Sequence, residues 1–260
     1  MAELPLLTSI DGVITPSDEA IVPLPDDGVF RGDGVFEVLR AYSGTLFALE
    51  DHLDRLERSA TAIDLTVDRA AIKSESLSLL ERAEGTDCLL RTISTRMGRR
   101  IVTLENLLVH RPSISLATVT YSPTVILNGV KSLSYAANMQ ATRIAKKAGA
   151  QEALLVMPDG SVLEAPTSTL FWVSGGKLRT TALEVGVLDS ITRARIIDAI
   201  EVEVGRFQID DVMNSFEAFL ASTTREVQPV DSIDGKPIPI EPGTWTAKSA
   251  TAFKAALASS

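Results

Sequence analysis

Lys131 follows the apolar run Val125-Ile126-Leu127-Asn128-Gly129-Val130, and Ser132 to Tyr135 lead from it into a predicted helix. A lysine in that position is partly desolvated. Desolvation lowers an amine's pKa, which a lysine that forms a Schiff base needs. A solvated lysine at a helix start is the plainer reading of this feature alone. Glu164 lies within Val162-Leu163-Glu164-Ala165-Pro166, an apolar stretch just after a turn. A carboxylate among apolar neighbours needs a cation or a hydrogen-bond donor. A protonated pyridine nitrogen is such a partner, and keeping it protonated deepens an electron sink for carbanions. The alternative is an edge-strand glutamate facing water.

Two segments have the chemistry of anion sites. Ile191 and Thr192 stand in the first turn of a predicted helix, where unpaired N–H groups and the positive end of the dipole favour a phosphate. Ser222-Thr223-Thr224 is a small polar loop of hydroxyls and N–H groups. Arg55, on a predicted helix, adds a fixed positive charge. Each signal alone reads equally as a cap, a polar turn or a surface arginine. Arg96, Arg99 and Arg100 cluster in a loop and stand between two readings, a solvated loop and a clamp for a substrate carboxylate. Gly28, Gly32 and Gly34 do not match the spacing of a dinucleotide-binding loop and read as turn glycines.

The elements that must carry these residues follow from periodicity. Residues 3–15 form a strand pair around Asp11-Gly12, and Asp26-Asp27-Gly28 turns the chain. Val35–Tyr42 is a strand, followed after Ser43-Gly44 by Thr45–Leu49. Glu50–Ile63 is an amphipathic helix with Leu53, Leu56 and Ala60 at helical spacing, and 68–83 is a second. Strands are expected at Cys88–Thr95, Leu107–Arg111 and Ile114–Tyr121, with a loop at 97–100. Ser134–Ala148 is a helix closed by Gly149, with Ala137, Ala141, Ile144, Ala145 and Ala148 on one face. Hairpins are expected over Glu152–Ala165 and Leu170–Thr181. Ser190 caps a helix from Ile191 to about Glu203. Phe219–Ala221 is a strand, and 244–258 a weak helix. This order gives an α+β protein. Its domains are expected as 1–117, a linker at 118–128, and a larger domain at 129–260.

Composition removes several classes of function. The 260 residues are 45% hydrophobic and 23% charged, and the net charge of −9 argues against nucleic acid as a partner. The single cysteine, Cys88, cannot form an internal disulfide and reads as a buried thiol. Two histidines, His52 and His110, with no Cys/His cluster, give no metal site. With no signal peptide and no apolar run of membrane-spanning length, the expected location is cytoplasmic, without a membrane partner.

The residues also carry a resemblance. Asp27-Gly28-Val29-Phe30-Arg31-Gly32-Asp33-Gly34-Val35-Phe36-Glu37-Val38 resembles the N-terminal motif of the class IV aminotransferases, fold type IV of the pyridoxal-phosphate enzymes. His52-Leu53-Asp54-Arg55-Leu56 is similar to their phosphate-binding arginine helix, and Lys131-Ser132-Leu133-Ser134-Tyr135 to their Schiff-base lysine segment. Glu164 with Thr167–Phe171, Leu188 to Arg193, and Ser222 to Val230 resemble the pyridine-nitrogen, phosphate and final-loop segments, over about residues 25 to 235. The resemblance implies a small N-terminal α/β domain, a larger C-terminal domain with a barrel-like sheet, and a homodimer with its active site at the domain junction. It implies pyridoxal 5'-phosphate as cofactor, Lys131 as catalytic residue, and Arg55, Lys131, Glu164, Leu188, Ile191, Thr192, Ser222, Thr223 and Thr224 as its binding residues. Phe36, Arg40, Arg91, Arg96 and Arg99 are the expected substrate contacts, and Arg225 a second contact for a carboxylate. The implied reaction moves an amino group from an amino donor to a 2-oxo acid acceptor by a ping-pong mechanism. The D-amino acid and branched-chain types stand open. Two other readings are an aminodeoxychorismate lyase, which releases pyruvate, and a non-catalytic binding protein on the same scaffold.

Overall fold

The structure is a computed structural model, and it describes residues 4–239 and 244–258. The chain divides into two compact units: residues up to Leu108 together with Val130–Tyr135, and Val109–Gly129 together with the chain from Ala136 onward. The linker expected at 118–128 therefore falls inside the second unit, and so does the strand before it. The short segment around Lys131 returns to the first.

In the first unit, β1 (Leu7–Ile10), β2 (Val13–Pro16), β3 (Gly34–Tyr42), β4 (Thr45–Leu46), β5 (Cys88–Thr95) and β6 (Arg100–Glu105) form one antiparallel sheet in the order β2-β1-β6-β5-β3-β4. Strand alternation sorts its faces. Leu39, Ala41, Cys88, Leu90, Val102 and Leu104 pack into one core with Leu79, Leu80 and Ala83. The opposite face carries Phe36, Val38 and Arg40. The helices are α1 (Asp27–Arg31), α2 (Leu49–Thr61) and α3 (Arg69–Glu81). The turn expected at Asp26-Asp27-Gly28 is instead the start of α1: the Asp26 side chain accepts the Gly28 N–H and caps it, and Gly32, at φ 69°, ends it. Gly34 is required by close approach, since a Cβ there would lie 2.5 Å from the Ser94 carbonyl oxygen.

Two strand expectations fail: the second arm of the hairpin expected over Glu152–Ala165 makes only isolated bridges, Val156 with Val162 and Ala165 with Ser168, and the strand at Leu107–Arg111 does not form. Instead β6 runs from Arg100, the last residue of the expected 97–100 loop, through residues 101–105, where no element is expected. The alternation Ile101-Val102-Thr103-Leu104-Glu105 suits a strand paired on both sides, by β5 and β1. Among the described residues the Leu107–Arg111 run has no strand partner, and Val109 is 99% exposed.

The second unit contains β7 (Ile114–Thr120), α4 (Ala136–Lys147), β8 (Glu152–Val156), β9 (Thr169–Ser174), β10 (Lys177–Thr181), α5 (Ile191–Ala199), β11 (Glu203–Gly205), α6 (Ile209–Met213), β12 (Glu217–Ser222), β13 (Glu226–Ile233), β14 (Lys236–Pro237) and α7 (Thr244–Ala258). Its eight-stranded sheet runs β11-β10-β9-β12-β13-β7-β8, with β14 on β13, and curls into a half-barrel. Trp172, Leu170, Leu220, Leu154 and Val230 fill one side of it; Phe171 and Phe219 stack at 5.0 Å on another, against Ile196 of α5. The α5 helix stops well short of Glu203, because Glu203–Gly205 pairs in parallel with Arg179–Thr181. Sheet hydrogen bonds here override local helix propensity. The α4 helix forms as expected, but only Ala141 and Ala145 of its alanine face are buried.

Candidate active site

The first unit holds a buried polar stripe that runs beside an apolar one. On α2, Leu53, Leu56 and Ala60 repeat at i, i+3, i+7 and enter the core; His52, Arg55 and Ser59 repeat with the same spacing and are also buried. The polar stripe meets Glu37 of β3. Arg55 Nε and Nη2 donate to the two Glu37 oxygens, each at 2.7 Å, and His52 Nδ1 lies 2.8 Å from Glu37 Oε2. Burial alone would raise the Glu37 pKa, but the charge and hydrogen bonds of Arg55, with the His52 bond, hold it well below the usual carboxylate range. Burial pushes the His52 pKa down, against the pull of Glu37. Arg55 is thus held in a rigid setting, by a carboxylate behind it.

Lys131 sits on the same unit. Its backbone is held at both ends: its N–H donates to Ser59 Oγ at 3.1 Å, and its carbonyl accepts the Phe36 N–H at 3.0 Å. Its Nζ lies 4.4 Å from the centre of the Phe36 ring, and Tyr135 meets that ring edge-on at 5.4 Å. The stripe on α2 therefore positions both Arg55, through Glu37, and Lys131, through Ser59.

The expected substrate residues separate into two groups. Val38 and Arg40 follow Phe36 on one sheet face, and Arg91 lies across from Val38 in register. Arg91 binds Glu105 through Nε and Nη2, at 2.8 and 3.1 Å, and the Arg40 guanidinium lies 4.5 Å from the Tyr42 ring centre. Arg96 and Arg99 belong to the β5–β6 turn. Arg96 binds both Asp33 oxygens at 3.1 Å and the Ile63 carbonyl, while Arg99 pairs with Asp11. Their ion pairs hold this turn to the rest of the unit.

In the second unit, Glu164, Leu188 and the start of α5 form one connected piece. The Glu164 backbone is tied to β8, its carbonyl accepting the Leu155 N–H at 2.9 Å, and its carboxylate Oε1 accepts the Leu188 N–H at 2.9 Å. Three residues on, α5 begins. Its cap, Ser190, accepts the Arg193 N–H, and Thr192 is 1% exposed. The first-turn N–H groups of Ile191 and Thr192 have no carbonyl within the helix to bind, which is what an anion needs. Thr223 and Thr224 lie in the β12–β13 turn, after Ser222 at the end of β12. The Tyr121 phenol is held protonated by burial and by the Glu164 charge.

Sequence reasoning passed over Glu37, His52 and Ser59 as functional positions. Glu37 carries the signal that marked Glu164, an acid inside an apolar strand. His52 and Ser59 were legible only from Arg55, at −3 and +4 on its helix. It also passed over Arg193, a buried cation in the first turn of α5, where helix polarity disfavours positive charge. Its Nη2 donates to the Thr181 carbonyl at 3.1 Å; burial lowers its pKa, and Asp189 and Glu164 oppose that.

Each unit carries chemistry that fits pyridoxal phosphate. The second has a helix N-terminus and a hydroxyl turn of the kind that suits a phosphate and a half-buried carboxylate of the kind that suits a ring nitrogen; the first has a lysine beside an aromatic ring, of the kind that suits an aldehyde. The comparison with known proteins agrees. Residues 34–233 match the family model for amino-transferase class IV. The chain is similar to a putative branched-chain-amino-acid aminotransferase of Methanocaldococcus jannaschii, 31% identical with 88% of each chain covered. It is equally similar to a D-alanine aminotransferase of Bacillus licheniformis, again 31% identical over 88% of each. A fold IV-transaminase from Curtobacterium pusillum superimposes with a TM-score of 0.87 at 27% identity, over 95% of this chain and 98% of that one. The chain belongs to the class IV aminotransferase family. It is a pyridoxal-phosphate-dependent enzyme that moves an amino group between an amino acid and a 2-oxo acid. Among the described residues no helix is long and apolar enough to cross a membrane.

The buried Glu37 cluster makes stability depend on pH. The folded pKa of His52 lies below its ordinary 6.5, so its contribution is complete above that value and is lost as pH falls through it. Glu37, also depressed, contributes fully above 4.5 and loses this as pH falls further. Unfolding of the apoprotein in urea should therefore show stability falling as pH drops from 6.5 to 5.5, by at most about 1.4 kcal/mol per pH unit for this one proton. His52→Asn should flatten that interval and keep the loss below pH 4.5. An unchanged slope in the variant would assign it to other groups.

Proposed function

We propose that Lys131 is the catalytic lysine of this aminotransferase, with amino donors of the D-amino acid or branched-chain type. The observation that carries this is the placement of its amine: Nζ against the Phe36 ring, on a backbone pinned by Ser59 and Phe36. When bound, pyridoxal phosphate supplies the carbonyl that takes up the amino group and the ring that stores electrons. The chain supplies the rest. The Lys131 amine would move the proton between the substrate's Cα and the cofactor's C4′ carbon, from Cα in the first half-reaction and back to the acceptor's Cα in the second. Glu164, oriented by the Leu188 N–H, keeps the ring nitrogen protonated. Arg55, Ile191, Thr192, Ser222, Thr223 and Thr224 hold the phosphate, and Leu188 offers an apolar surface to the ring. Phe36, Arg40 and Arg91 face the substrate. Arg91 is held by Glu105, and meeting a substrate carboxylate requires it to share that partner. A homodimer is part of the same reading.

The test is a donor panel. Holoenzyme is mixed with single D- or L-amino acids and no acceptor, and its visible absorption is followed. Bleaching by a subset of donors, with stoichiometric release of the matching 2-oxo acid, is the expected result and names the hand and side-chain class. No response to any donor, with pyruvate released from aminodeoxychorismate, would replace this reading with the lyase.

A further inference from the structure

Arg225 is built into the protein rather than presented to a ligand. It was expected as a second contact for a carboxylate, yet all three of its side-chain nitrogens are engaged inside the second unit, and the side chain is 11% exposed. Nε donates to Ser168 Oγ at 3.1 Å, Nη1 to Gln228 Oε1 at 2.6 Å, and Nη2 to Glu152 Oε2 at 3.2 Å. The far partners are themselves fixed. Glu152 also accepts the Thr142 hydroxyl at 2.5 Å, and the Gln228 amide donates to the Arg111 carbonyl at 2.8 Å. Burial lowers the pKa of the guanidinium and the Glu152 charge raises it.

The turn that Arg225 closes needs such an anchor. Ser222 and Glu226 are paired across it, so Thr223, Thr224 and Arg225 make the whole connection between β12 and β13. Glu226 holds φ at 56°, in the left-handed region, which costs a non-glycine residue about 1 kcal/mol. The Arg225 N–H donates to Ser222 Oγ at 3.3 Å, and that hydroxyl keeps its own hydrogen to donate elsewhere. Both the backbone and the side chain of Arg225 are therefore fixed, which leaves Thr223 and Thr224 as the crest of a turn held in one conformation.

We propose that Arg225 is a positioning residue: through Glu152, Gln228 and Ser168 it sets the turn that grips the cofactor phosphate, without touching the cofactor. This rests on the reading above that the Ser222–Thr224 segment binds phosphate. A merely structural staple would affect every ligand alike, whereas a residue that sets the phosphate turn affects only ligands with a phosphate.

The experiment is equilibrium titration of the apoprotein, wild type and Arg225→Gln, with pyridoxal 5'-phosphate and separately with pyridoxal. The expected result for the variant is a Kd for pyridoxal phosphate raised about tenfold, with that for pyridoxal changed by less than about twofold. Glu152→Gln keeps the shape of the partner and removes its charge. It is the second variant should Arg225→Gln fail to fold, and it should raise the pyridoxal-phosphate Kd about threefold with the same selectivity. Equal weakening of both ligands, or an unchanged Kd for pyridoxal phosphate in a folded variant, would overturn the proposal. If the wild type itself binds the two ligands equally, the phosphate role of the turn fails first, and this proposal with it.

Discussion

Lys131→Ala is expected to lower turnover by roughly four orders of magnitude while leaving the fold intact. The substitution removes the amine proposed to move the proton, and the Phe36 ring and the Ser59 hydroxyl beside it offer no amine in its place. The backbone bonds of residue 131, from its N–H to Ser59 and from its carbonyl to Phe36, do not depend on the side chain, so the segment stays in place. Two measurements check this. Single-turnover rates with a good donor should collapse, and borohydride should no longer fix the cofactor to the chain. Retention of more than about a tenth of the wild-type rate would move the catalytic role to another residue.

Glu37→Ala is expected to cost about 3–5 kcal/mol of folding stability, the usual loss when one partner of a buried ion pair is removed. Arg55 is 5% exposed and Glu37 1% exposed, so the arginine left behind would be a desolvated charge without the carboxylate that holds two of its nitrogens. His52 would lose the acceptor of its Nδ1 bond in the same step. A whole domain is commonly stable by only about 5–15 kcal/mol, so the effect is large. Urea unfolding of the apoprotein isolates it from ligand linkage. A loss under about 1 kcal/mol would mean that Arg55 finds another carboxylate, and that Glu37 is not what fixes it. Glu37→Gln, which keeps the volume and one acceptor, should fall between the two.

Much of this was legible because short stretches carry their own physics. Leu53, Leu56 and Ala60 announce α2 by spacing, Ser190 announces the start of α5, and Gly149 stands just past α4. Cys88–Thr95 and Ile114–Thr120 read as strands because apolar β-formers dominate them. The failures share one cause. The extent of α5 was misjudged because Glu203–Gly205 is claimed by a parallel neighbour distant in sequence. The Arg100–Glu105 strand was missed because its two partners, β5 and β1, complete it.

The sequence by itself determined the family and the cofactor chemistry, and it pointed to Lys131, Glu164 and two anion segments as candidates, since these depend on residue type at a spacing along one chain. Only the tertiary structure decided which carboxylate each arginine meets. Arg96, Arg99 and Arg225 looked equivalent to Arg40 and Arg91 as cations in or near loops and strands. Their carboxylate partners Asp33, Asp11 and Glu152 lie 63, 88 and 73 positions away in the chain. A charge is spent by whatever the fold brings within about 3 Å of it, and no local pattern encodes a neighbour that far along the sequence.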